Sequence, residues 1–196
     1  MNKKYLKRSI VGFLGLIVIF ISIMTWLYPY SPFSLQKQFT YEPYFVSGND
    51  GTFDVRLQKF KDSYKEDLEA DMENKYPNLT INQTEAIFIT FDQKWLTERD
   101  PISFNTTVLS DMLFEVRQVK EMLLSLIVKI DYTSEQREYL VGSFRKFLGL
   151  EESINEVKDE PYIVRSELER RFDNLYVDYL NAFSSYVTFY ESVVYE

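Results

Sequence analysis

Apolar positions along this chain fall into three regimes. From Ile10 to Leu27 they are continuous (IVGFLGLIVIFISIMTWL), 18 residues without a charge. At about 1.5 Å per residue a helix of that length covers roughly 27 Å, close to the hydrocarbon thickness of a bilayer. Residues 29–51 show no regular period and carry Pro29, Pro32 and Pro43, with a turn signal at Gly48-Asn49-Asp50-Gly51. From Thr52 onward, apolar residues recur every three or four positions, the period of amphipathic helices. The expected architecture is all-α: an N-terminal transmembrane helix followed by an extracytoplasmic four- to five-helix bundle. Its parts are a basic cytoplasmic tail (1–9), a signal-anchor helix (10–28), a linker (29–51) and a helical domain (52–196).

The flanks of the apolar run set its expected orientation. Lys3, Lys4, Lys7 and Arg8 precede it and no acid does; such positive charge stays cytoplasmic, which puts the remainder of the chain outside. Trp26, Tyr28 and Tyr30 fall where an aromatic belt meets the opposite interface. A cleaved signal peptide is the rival reading. The run is longer than the about 7–15 residues of a signal h-region, and Thr25-Trp26-Leu27-Tyr28-Pro29 is bulky where a peptidase takes small side chains. Gly12-Phe13 has the form of a prepilin cleavage pair, but Ile17 stands where those leaders carry glutamate. Lipoprotein processing requires a cysteine, and the chain has none.

In the linker, Phe39, Tyr41, Tyr44 and Phe45 offer an alternative to a free stand-off segment: an extended strap lying on the helices. The first helix of the body carries Phe53, Leu57, Phe60, Tyr64, Leu68 and Met72 on one face and ends near Pro77. Asp67, Glu69, Asp71 and Glu73 spread around that helix at about 100° per residue, which reads as a solvated face rather than a cation site. A second helix is expected from Thr80, where Thr80-x-x-Gln83 has capping-box form, through Ile81, Phe88, Phe91 and Trp95 to Asp100. Residues 86–91 (AIFITF) are β-branched and aromatic enough to form a strand instead. The third helix spans about 103–130 on the seam Met112, Val116, Val119, Leu123, Leu126, Ile130, and its apolar end, 122–128, is expected to be buried in protein. The fourth starts at Thr133-Ser134-Glu135-Gln136 and carries Leu140, Phe144, Phe147, Ile154 and Val157. Gly142 and Gly149 within it permit either a close helix approach or a bend.

The fifth helix, about 162–195, has the strongest pattern of the body. Leu168, Phe172, Leu175, Tyr179, Ala182, Tyr186, Phe189 and Val193 form an unbroken heptad seam. A second seam runs beside it: Tyr176, Leu180, Phe183, Val187, Tyr190, Val194. A helix apolar on two adjoining faces is covered on both. Either it is the central core helix, or the second seam meets a partner with Tyr176, Phe183 and Tyr190 as aromatic anchors.

Composition narrows the chemistry. All 30 acids follow the apolar run, against 18 of the 22 cations, so the outer part carries −12 where the whole chain carries −8. Such a surface repels nucleic acid and anionic headgroups. With 17% aromatic residues there is ample core material. Neither cysteine nor histidine occurs, which removes thiol catalysis, the Ser–His triad and the commonest metal ligand. No phosphate-binding glycine loop, HExxH or GxSxG is present, and no cofactor is implied. Asn78, Asn82 and Asn105 head glycosylation tripeptides, which matter only in a eukaryotic secretory pathway.

The expected function is binding rather than catalysis: a membrane-anchored interaction module, an accessory or regulatory subunit of a membrane or envelope complex that meets a protein partner or itself. The alternatives are a receptor holding a small molecule or peptide between helices and, less supported, a glycan hydrolase using paired carboxylates.

Overall fold

Six helices and one two-stranded ribbon account for the regular structure among the described residues; the computed structural model describes residues 3–43, 52–93, 95–98 and 100–195. The apolar N-terminal run forms α1 (Lys3–Leu27), a helix long and apolar enough to cross a membrane, with no residue of its most apolar stretch buried inside the protein. Its one mid-span hydroxyl, Ser22, donates to the Val18 carbonyl at 2.8 Å, the way a polar group is satisfied without water.

The chain then turns back tightly and enters β1 (Gln38–Tyr41), which pairs antiparallel with β2 (Ile102–Asn105), Phe39 facing Phe104 and Tyr41 facing Ile102. This realises the strap rather than the free linker for residues 38–41. Tyr44, Phe45 and the turn at 48–51 lie outside the described residues. Alternation decides the ribbon's orientation: Phe39, Tyr41 and Phe104 close around Phe172, with ring centroids 5.2, 5.2 and 4.7 Å from it, while Thr40 and Ser103 pair hydroxyls on the other face.

α2 (Phe53–Met72) buries Phe53, Leu57, Phe60 and Tyr64 as its period requires, but Met72 ends the helix 74% exposed. The acid row behaves differently from a solvated face. Glu69 and Glu73 are exposed, whereas Asp71 is buried and accepts the Asn78 N–H on both oxygens, at 2.8 and 3.0 Å, and the Asn74 amide at 3.2 Å. It clasps the turn into α3 (Leu79–Asp92).

Residues 86–91 are helical. β-propensity yields here because the helical period puts Ile81, Thr84, Ile87, Phe88 and Phe91 inside, and burial outweighs local preference. The helix is capped two residues earlier than expected: the Asn78 side chain accepts from Thr80 N, and Thr80 is buried in the first turn with its hydroxyl 2.6 Å from that of Tyr132. α3 ends at Asp92, short of Asp100, and Leu96 tucks into the core.

α4 (Thr106–Lys129) starts after β2 rather than at Ser103. Asn105 caps it, accepting from Thr107 N and Val108 N at 2.9 Å. Its seam is buried through Leu126, but Leu124 and Val128 are 43% and 77% exposed, so the apolar end is only half covered. α5 (Ser134–Lys158) opens on a complete capping box between Thr133 and Gln136. It runs unbroken through Gly142 and Gly149; a Cβ added at either would meet nothing within 4 Å, so neither serves a close approach.

α6 (Arg165–Val194) is the hub. It packs along α5, receives the ribbon on its first turns and is touched by α2 and α3. Its heptad seam is buried through Phe189, with Val193 half-buried. Two of its buried tyrosine hydroxyls are paired, as burial favours: Tyr186 with Thr84 at 2.6 Å, and Tyr179 donating to the Thr90 and Phe91 carbonyls at 3.1 Å.

Candidate functional site: the span exit and the furrow between α2 and α6

The expected membrane residues occupy two ends of α1. Ile10 and Leu27 are exposed, at 50% and 42%. Arg8 is exposed at the basic end, and the side chains of Lys3, Lys4 and Lys7 lie outside the described residues. At the other end Tyr28 is half-buried and Trp26 is 68% exposed. Trp26 is held from a direction that only folding supplies. The Arg165 guanidinium stands 5.1 Å from its ring and 5.4 Å from that of Phe39, and donates to the Trp26 carbonyl at 3.1 Å. The first residue of α6 is thereby fastened to the end of α1.

The second α6 seam divides. Tyr176, Phe183 and Tyr190, spaced by seven, are buried at 4%, 3% and 0% exposure, while Leu180, Val187 and Val194 are half-buried. The proposed aromatic anchors therefore do not stand on an open surface. α2 covers Phe183 and Tyr190: Phe183 lies 5.1 Å from Phe53, 6.0 Å from Phe60 and 5.1 Å from Phe91 of α3, and Tyr190 lies 5.1 Å from Phe60. The physical reason is that α2 presents its own aromatic stripe at matching period and lies parallel to α6, so the two stripes meet inside one chain.

What stays open is the rim of that contact. Between α2 and α6 runs a furrow of about 440 Å³, with Phe60, Phe183, Val187 and Tyr190 along its floor and the cations Arg56 and Lys59 on one wall. Arg56 donates through Nη1 to Ser184 Oγ at 3.3 Å, and its Nε is buried without an acceptor among the described residues. At the far end Ser63 and Tyr195 pair hydroxyls at 2.8 Å, and Tyr190 and Tyr195 both donate to Asp67 Oδ2, at 2.8 and 2.7 Å. Burial, then the hydrogen bond and charge of Asp67, push the Tyr190 hydroxyl far above the usual tyrosine range. It stays a neutral donor, a fixture of the wall rather than an acid or base. Glu191 is the acid on the α6 side.

The furrow has features suited to recognition: apolar floor, two positive charges, and an unmatched N–H. It contains three of the six residues of the second seam, Phe183, Val187 and Tyr190. The sequence assigned no binding role to Arg56 or Lys59, although both flank the α2 stripe at helical spacing. Arg165 had no such signal, since its neighbours lie 126 and 139 positions away in the chain. Among the described residues no group of three or more acidic side chains is placed to hold a metal ion. Neither a family model, nor a curated protein, nor a solved structure matches this chain.

Proposed function

We propose that this protein is a membrane-anchored interaction module: a single-pass chain with its basic N-terminus in the cytoplasm and a helical bundle outside, acting as an accessory or regulatory subunit of a membrane or envelope complex. Four cations and no acid ahead of the span support the orientation. The observation that carries the binding role is the furrow. In a body with an excess of twelve acids it pairs Arg56 and Lys59 with an apolar floor, which suits a partner segment presenting a carboxylate beside an apolar side chain. Phe183 lies 18 residues into α6 from Arg165, so the furrow sits roughly 27 Å along that helix from the contact with the end of α1.

The same furrow supports a second reading, a receptor for a small carboxylate or peptide, because about 440 Å³ falls within the roughly 300–1,000 Å³ of small-molecule sites.

The test is in-cell cross-linking from a photoreactive residue at Thr188, on the furrow wall, followed by purification of the full-length protein from membranes. The expected result is one near-stoichiometric membrane or envelope protein whose capture is lost in Lys59→Glu and Val187→Asp. Equal capture by these variants, with helicity unchanged, removes the furrow as the partner site. No protein adduct, together with a carboxylate ligand that raises the melting temperature of the wild type but not of Lys59→Glu, transfers the assignment to the receptor.

A further inference from the structure

The segment after α1 does not leave the membrane helix; it folds back along it. Tight turns bond Ser31 N to the Tyr28 carbonyl and Ser34 N to the Ser31 carbonyl, both at 3.0 Å. Leu35 N then donates to Thr25 Oγ1 of α1 at 3.1 Å, and the Phe33 ring packs edge-on against Phe20 with centroids 5.5 Å apart. Phe20 precedes the end of α1 by seven residues, about 10 Å of helix. The loop therefore returns to a depth that the span itself assigns to lipid.

Its exposed chemistry fits that depth. Phe33 and Leu35 are 50% and 78% exposed, beside Trp26 at 68%, while the loop's serines 31 and 34 are turned inward and buried. Between Tyr28 and Tyr41 the chain holds no acid, and the first one after the span is Glu42. In a chain where 30 acids follow the span, this is the stretch that approaches a headgroup layer without charge repulsion. Arg165, clamped on Trp26, ties the same level to α6.

We infer that the loop carrying Phe33 and Leu35 is a second membrane contact, inserted in the leaflet that α1 leaves, so that the helical body is seated on the lipid surface at a fixed orientation rather than carried on a stalk. The occupant of this apolar patch is the lipid of the interface. Continuity with the span argues for it, since Phe33 is seated on a residue of α1. The inference rests on α1 spanning a membrane, and its test separates the two.

Because the chain has no cysteine, single sites take a spin label without a background. Ile19→Cys (mid-span), Leu35→Cys and Phe33→Cys (loop) and Met72→Cys (74% exposed, at the end of α2) are compared in the full-length chain in phosphatidylcholine nanodiscs, reading collision rates with oxygen and with a water-soluble nickel chelate. The expected result is a several-fold higher oxygen-to-nickel ratio at the loop sites than at Met72, approaching that of Ile19. If Ile19 reads as lipid and the loop sites read like Met72, the second contact is wrong while the span stands. If Ile19 itself reads as water, the span fails and the inference with it. Leu35 carries the decision should Phe33→Cys disturb its packing, because so exposed a side chain is replaced at little cost to folding.

Discussion

Truncating Phe183 to alanine tests the assignment of the second α6 seam to the chain's own core. The ring is 3% exposed and meets Phe53, Phe60 and Phe91 at 5.1, 6.0 and 5.1 Å. Removing a buried phenylalanine costs about 3–5 kcal/mol through lost transfer energy and the cavity left behind. Phe183 also borders the furrow, which lets neighbours or water relax into part of that space, so the lower end, about 3 kcal/mol, is expected. Phe183→Leu keeps most of the volume and should cost about 1 kcal/mol. The assay is urea unfolding of the full-length protein in detergent micelles, followed by far-UV circular dichroism; α1 stays helical in the micelle, so the transition reports the body. For a chain of this size about 3 kcal/mol corresponds to a melting shift of roughly 6–12 °C. A loss under about 1 kcal/mol for Phe183→Ala, accompanied by loss of partner capture, would refute the core assignment, because a side chain of that burial cannot be removed from a packed core so cheaply.

Other perturbations read single features of the fold. Gly149→Ala, with open space where the new methyl goes, should stabilise α5 by about 0.5–1 kcal/mol, seen as a raised urea midpoint; a loss would mean that the helix needs the glycine. Asp71→Ala leaves the Asn78 N–H without its acceptor and should cost about 1.5–3 kcal/mol, with faster hydrogen exchange at the start of α3. Burial raises the Glu151 carboxyl, but hydrogen bonds from Lys120 and Arg117 outweigh it and hold the group below its ordinary value of 4.5. A carboxyl depressed by folding contributes stability that is complete above the unfolded value and is lost as pH falls through the folded one. Urea midpoints of the wild type should thus fall more steeply below pH 4.5 than those of Glu151→Gln, which starts lower at pH 7; parallel acid limbs would show that these ion pairs contribute nothing.

Asn78 and Asn105 illustrate how a local motif changes meaning in context. Both head a glycosylation tripeptide, and both side chains are used as helix N-caps, Asn78 for α3 and Asn105 for α4. Replacing either would weaken a helix start whatever the compartment, so the tripeptides by themselves are no sign of modification.

Periodicity alone determined much of this protein: the apolar run of α1, the α2 stripe from Phe53 to Tyr64, the α4 seam, the capping box at Thr133, and the two seams of α6. These are legible because a helix repeats its buried face every three or four residues, and local order carries the signal. The β1–β2 ribbon was not legible. Its strands are four residues each with 60 residues between them, and each becomes a strand only when the other, and Phe172 beneath them, are in place. The same holds for the ends of α3 and α4, where tertiary burial and the Asn78 and Asn105 caps overrode the apparent helix starts at Thr80 and Ser103. Which face of α6 lies against its own chain, and which rim is left as the furrow, was decided by α2 lying parallel to α6 so that two aromatic stripes interlock. Sequence states that an apolar face will be covered; only the three-dimensional packing chooses what covers it, because hydrophobic burial is non-directional and many partners would satisfy it equally.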